Sequence, residues 1–210
     1  YSPTIGQNAM TVPQGAVVFA ASQLPAGTAD LVSGNNTITV GLSGNSDQLV
    51  VRTWVPTTDN TQRDCEGNAV TGGRYVVSRF FLRADTASGS SSALVCDAGT
   101  YVTPSDAAVT GFGGTGVVLL PTVDNFQVLY GVAAAGSTTL PIVRYVTSAD
   151  IGTSTVLAVR IAALVRSSET VNNLRGTSPS YNLLGESLTP TDTNILRRVF
   201  VSTVALRNAI

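Results

Sequence analysis

Phe126, Val128, Tyr130 and Val132 recur at every second position within VDNFQVLYGV, residues 123–132. In a strand those four side chains share one face, because successive residues point to opposite sides of a sheet. The other face, Val123, Asn125, Gln127, Leu129 and Gly131, is mixed. Pro121 precedes the run and Gly131 stands near its end. Strand-like runs lie on both sides of it, so the pattern predicts a half-buried strand at the centre of a sheet.

The same pattern predicts strands at 16–21 (AVVFAA), 37–42, 48–55 (QLVVRTWV), 74–84 (RYVVSRFFLRA) and 93–96. Further strands are expected at 142–147 (IVRYVT), 154–167 and 198–206. In 48–55, Leu49, Val51, Thr53 and Val55 form one face, and Pro56 ends the run. In 74–84 the set Val76, Ser78, Phe80 and Leu82 is the expected core face; a Ser/Gly turn then returns the chain as a hairpin. Ala, Leu and Arg in 154–167 also suit a helix. The unbroken alternation of Leu157, Val159, Ile161, Ala163 and Val165 decides for strand. Phe200, Val204 and Leu206 share a face in the last strand. Segments 57–73, 97–116, 133–141 and 169–191 read as loops and turns. About nine short strands with frequent turn signals and no helix predict a mainly β, antiparallel sheet domain with long loops. At 210 residues the chain suits one domain over residues 1–210.

Composition narrows what such a domain can do. Apolar residues make up 43% of the chain, enough for a core, while charged residues are only 12%, against about 25% in ordinary domains. All 12 basic residues are arginine, net charge is −1, and no basic run exists. The electrostatic footprint of a nucleic-acid binder is therefore missing. Histidine is absent, which excludes Ser-His-Asp and Cys-His nucleophiles and removes the commonest zinc ligand. The longest apolar run, 156–165, is broken by Arg160 and too short to span a membrane.

Three stretches carry candidate chemistry. Loop 57–73 holds Asp59, Asp64 and Glu66, with Asn68 beside them, oxygen ligands of the kind calcium takes. Their spacing is not that of an EF-hand loop, so 59–68 is read as a solvated acidic loop. Gly111-Phe-Gly113-Gly114-Thr-Gly116 matches the dinucleotide fingerprint, but a polar loop precedes it and VVLL with Pro121 follows. No helix can start there to meet a pyrophosphate, so the motif is read as a loop. Asn35-Asn36-Thr37 matches a glycosylation sequon and equally a turn. Cys65 and Cys96 are too few for a zinc ribbon and not spaced as a redox pair. Free buried thiols and a disulfide both remain open; polar, loop-like surroundings favour the disulfide, and with it an oxidising compartment.

Read together, several segments resemble the PilW-type minor pilins of type IV pili. They are PTIGQN (3–8), DCEGNAV (64–70), LVC (94–96), VDNFQVLYGV (123–132), RYV (144–146), AVRIAALVRS (158–167), YNL (181–183) and LRRVFVSTVALRN (196–208). The resemblance implies a pilin-like fold, α+β once a hydrophobic N-terminal helix preceding this sequence is counted. It implies a non-catalytic subunit without cofactors that helps prime pilus assembly or forms the tip complex. Its expected place is the periplasmic face of the inner membrane and the pilus, held to the membrane only by that helix. Expected partners are other minor pilins, the major pilin and a tip adhesin, with the isolated domain a monomer. A J-type pseudopilin of a type II secretion system and an adhesin-like β module are the alternatives. Relatives carry an Asp- and Gly-rich turn after Tyr-Gly-Val; here Ala133-Ala-Ala-Gly-Ser-Thr-Thr139 has no carboxylate, so no metal site is carried over.

Overall fold

A computed structural model describes residues 16–26, 28, 31–35, 46–85, 92–134, 141–171 and 179–206. Its strands in chain order are β1 (Gly34–Asn35), β2 (Asp47–Val55), β3 (Arg74–Arg83), β4 (Ala93–Tyr101) and β5 (Val117–Pro121). There follow β6 (Val123–Val132), β7 (Arg144–Val146), β8 (Val156–Arg166), β9 (Tyr181–Leu183), β10 (Glu186–Leu188) and β11 (Arg197–Ala205). β1 to β5 pair in sequence order as the first sheet. The second sheet runs β11-β8-β6-β7, and β9 and β10 form a separate hairpin. Every pairing is antiparallel. The mainly β, antiparallel expectation therefore holds. β6 is central, with β8 along its length on one side and β7 at its end on the other.

The two sheets pack through one apolar layer. Leu49 and Leu82 come from the first sheet; Phe126, Val128, Tyr130, Val132 and Val159 come from the second. The alternation that predicted β6 thus marks the face on this layer, where each large aliphatic side chain contributes roughly 1.5–3 kcal/mol of burial. Both faces of β6 are enclosed, because Asp124, Asn125 and Gln127 are buried too.

β3 departs from expectation. Val76 and Leu82 are buried as predicted, but so are Val77, Arg79 and Phe81 on the opposite face. Val18, Leu24 and Val109 lie over that face with Val50, Val77 and Tyr101 as a second apolar cluster. Loop segments on either side of the sheet thus act as a second cover, which strand alternation cannot reveal.

Four other expectations are corrected. Residues 16–21 form no strand: Val17 bridges to Val51, and a 3₁₀ turn at Ala21–Gln23 follows. The Gln23 side chain folds back to accept from the Phe19 and Ala20 N–H groups, which ends the extended path. β4 continues through Asp97 to Tyr101, where a loop was expected. Gly99 has a local cause, since a Cβ there would stand 2.6 Å from the Thr110 carbonyl oxygen. β5 was not expected as a strand. The β9–β10 hairpin lies inside the expected loop 169–191; Leu184 and Gly185 at its turn both have positive φ, the requirement of a two-residue hairpin loop. The expected strand 37–42 and the sequon's Asn36 and Thr37 lie outside the described residues.

Side chains at the starts of β2 and β4 complete β6. β7 is short, so the main chain of Phe126 and Val128 on that side lacks a strand partner. Ser46 Oγ accepts from Phe126 N–H and donates to Phe126 O, at 3.2 and 3.1 Å. Asp47 Oδ2 accepts from Val128 N–H at 2.8 Å. Ser92 Oγ donates to Val123 O. The chain crosses between the sheets at Thr122, whose φ of 60° is unusual for a β-branched residue; its carbonyl accepts from Arg166 N–H.

Candidate docking surface

Cover over the second sheet thins strand by strand. On the face that meets the first sheet, β6 is buried, while Ile161, Ala163 and Val165 of β8 are half-buried. Phe200 and Val204 of β11 are 55% and 53% exposed. Phe200 and Val204 share a face, as the alternation predicts, and that face stands half exposed. Register explains why it is continuous: Phe200 pairs with Ala163 and Val204 with Val159, so all five side chains line one apolar surface. On the reverse face, Ala162 and Leu164 are sealed beneath Leu183 and Leu188 of the β9–β10 hairpin. That cover stops before Val201, which is 50% exposed.

An ionic network fixes the start of β11. Arg197 Nε donates to Asp124 Oδ2 at 2.7 Å, and both side chains are almost fully buried. Arg166 approaches the other Asp124 oxygen at 3.5 Å. The Arg197 guanidinium also pairs with the more exposed Asp192, and this holds the Asp192 carboxyl below its ordinary range. Burying Arg197 commits Arg198, the next residue along the strand, to the opposite face beside Phe200. A shallow concavity lined by Val165, Arg166, Leu196, Arg198 and Phe200 results. Asp124 was not singled out in the sequence. It sits where the β6–β8 register shifts between Val123 and Asn125, and no periodic pattern signals such a bulge.

The singled-out chemistry resolves into structure. Cys65 and Cys96 are disulfide-bonded, with Cα atoms 6.1 Å apart. Cys96 is not in a loop; it is a buried residue of β4 opposite Phe80, so the bridge pins the acidic loop to the first sheet. Within that loop Asp59 accepts from Thr61 N–H, Thr61 Oγ1 and Gln62 Nε2. These bonds depress its pKa, the Thr61 N–H most. Asp64 accepts from Glu66 N–H and Asn68 N–H and so closes the turn. Glu66 is raised by desolvation and by the neighbouring charges of Asp97 and Asp64. Among the described residues no three His, Cys, Asp or Glu side chains gather as a metal site. The glycine motif serves the protein itself: Gly113 and Gly114 N–H donate to the Asp97 carboxylate at 2.8 and 3.1 Å. The amides a phosphate would need are thus taken by a buried aspartate. No described helix is long and apolar enough to cross a membrane.

Comparison with known proteins gives three results. No curated protein matches the chain. Among solved structures, a type IV-like pilin, TTHA1219 from Thermus thermophilus, is similar at 14% identity and a TM-score of 0.38, covering 82% of this chain and 84% of that one. The family model of the type IV pilus-assembly protein W, PilW, matches residues 79–208, more than half of the chain. That stretch contains β6, β8 and β11 and the network between them, and the chain belongs to the PilW family of type IV pilus-assembly proteins.

Proposed function

We propose that this chain is a structural minor pilin, a single domain over residues 1–210 that does no chemistry of its own. It takes part in priming type IV pilus assembly, in the tip complex, or in both, at the periplasmic face of the inner membrane and on the fibre. Its partners are other minor pilins and the major pilin. One observation carries the reading: the apolar layer of the fold continues past β6 across the half-buried Ile161, Ala163 and Val165 to the exposed Phe200 and Val204. A soluble protein gains nothing from such a surface unless another body covers it. The lack of histidine and the engagement of the loop carboxylates within turns support a non-catalytic role.

The test replaces Phe200 and Val204 with serine in the full-length protein, in cells lacking the native copy. Expected are fewer surface pili and loss of co-isolation with the other minor pilins, with the thermal unfolding of the domain unchanged. Normal piliation and normal co-isolation would overturn the reading. Normal pili with impaired protein secretion would assign the surface to a secretion pseudopilus instead.

A further inference from the structure

β11 is the outer edge of the second sheet, and hydrogen-bond parity tells which of its main-chain groups are free. Ser167 N–H donates to Leu196 O, and Leu206 N–H to Leu157 O. In an antiparallel ladder such residues alternate, so 198, 200, 202 and 204 also turn their main chain toward β8. Arg166 obeys the same alternation, sending its N–H away from β11 to Thr122 O. The N–H and C=O groups of Arg197, Val199, Val201, Thr203 and Ala205 therefore face outward. Among the described residues no strand pairs with them.

Beyond the two arginines at its start, this edge lacks the usual protections. It contains no proline, glycine or lysine, and its register with β8 runs unbroken from Arg197↔Arg166 to Ala205↔Ala158. Phe200, Val201 and Val204 stand half exposed along it.

We propose that β11 pairs, antiparallel and about a two-fold axis at Val201, with β11 of a second copy of this chain. The five outward residues are symmetric about Val201. Val201 meets its own copy, Val199 meets Thr203, and Arg197 meets Ala205, so every outward donor and acceptor finds a partner. A register moved by one residue sets outward groups against inward ones. Moving it by two leaves one outward residue on each strand unpaired.

Charge selects the same arrangement. Arg197 falls opposite Ala205 and Arg198 opposite Val204, so no like charges face each other. A parallel pairing would stack the arginines of both copies, which is destabilising. The side-chain pairs are complementary as well. Val201 contacts Val201, Phe200 lies over Ser202, and the aliphatic stem of Arg198 covers Val204. The resemblance implies a monomer for the isolated domain; an open, self-matching edge, however, binds at contact and needs no long-range charge attraction. The pairing uses the strand's main-chain edge and borders the apolar face assigned to pilin partners, but it does not depend on the pilus reading.

The test is sedimentation equilibrium of the purified chain from micromolar to submillimolar concentration, with two kinds of variant. The wild type is expected to dimerise as concentration rises. Val201→Pro removes one outward N–H, tolerable on an edge strand. It is expected to weaken dimerisation at least about tenfold, since two hydrogen bonds are lost at the axis. Val201→Cys is expected to yield a disulfide-linked dimer on mild oxidation. The two native cysteines are already bonded to each other, and directly opposed Cα atoms at about 5.5 Å lie within disulfide reach. Thr203→Cys, facing Val199, is expected not to cross-link. A wild type monomeric at every concentration, or equal cross-linking at 201 and 203, overturns the proposal.

Discussion

Asp47 is a carboxylate in a place that suits its neutral form. It opens β2 and reaches across to β6, where Oδ2 accepts from Val128 N–H at 2.8 Å. Burial pushes its pKa from 3.8 to about 6, against the lowering effect of the Val128 bond and with help from the nearby Glu186 charge. Folding therefore tightens proton binding. Its contribution to stability is fully present below the unfolded value of 3.8 and is lost as pH rises through about 6. Each tenfold change in proton affinity is worth about 1.4 kcal/mol, so the ionised side chain destabilises the fold by about 3 kcal/mol at pH 8.

Asp47→Asn tests this. Asparagine keeps an oxygen for Val128 N–H and carries no charge at any pH. The variant is expected to be about 2–3 kcal/mol more stable than the wild type at pH 8. The gain should shrink through pH 6 and vanish near pH 4. Urea unfolding followed by the fluorescence of the single tryptophan, Trp54, packed on Tyr75, supplies the readout. Asp59 and Asp106 are held low by hydrogen bonds, from Thr61 N–H and Val102 N–H above all, and lose stability as pH falls. They do so equally in both proteins and cancel in the difference. An Asn variant that is less stable at pH 8, or a difference that ignores pH, would refute the reasoning. Either result would mean that the ionised carboxylate is what holds Val128.

Three further outcomes are expected. Ser46→Ala strands the Phe126 N–H and C=O inside the interface between the sheets and should cost about 1–3 kcal/mol in the same urea assay. Replacing Cys65 and Cys96 together by alanine reopens a loop with a sequence separation of 31; chain entropy sets the loss at about 3–4 kcal/mol, measurable by calorimetry. Asp124→Ala leaves the buried Arg197 and Arg166 without their shared anion and should destabilise by about 3–5 kcal/mol. Asp192→Ala, at the exposed end of the same network, should cost under about 1 kcal/mol.

Legibility followed the kind of force at work. β6, β8 and β11 were readable because each has alternation long enough to commit one face, as Phe126, Val128, Tyr130 and Val132 do for β6. β4 was only half readable. Asp97 and Gly99 are poor strand residues, and their reasons are tertiary: a carboxylate needed by Gly113 and Gly114, and a close approach by Thr110. The β9–β10 hairpin hid because Leu184 occupies a positive-φ position where asparagine or glycine would have signalled a turn. Exposure of Phe200 was invisible for another reason. Periodicity tells which side chains share a face, never whether a second layer reaches that far. Ser46 and Asp47, which finish the β6 ladder, lie outside any pattern because they replace strand pairing with side chains.

The distribution of these anchors bears on how the surface is used. The disulfide, the three side chains that cap β6, and two of the apolar clusters, including the one around Leu82 and Tyr130, belong to the first sheet and its contact with β6. β11 shares almost none of them. It is held by its ladder to β8, by partial burial of Val199 and by the ion pairs of Arg197 at its start. Beyond Arg197, its outward side chains can change with little effect on the fold, since they bury little. Substitutions at Phe200, Val201 and Val204 should therefore separate assembly from stability, whereas substitutions at Asp124 or Arg197 disturb both. The same division predicts that contact through the Phe200–Val204 face responds little to salt, because among the described residues that strand face carries one charge, Arg198, and exposed charges are screened within about 10 Å at 0.1 M. Docking that collapses in high salt would place the contact on the arginines at the start of β11, not on the apolar face.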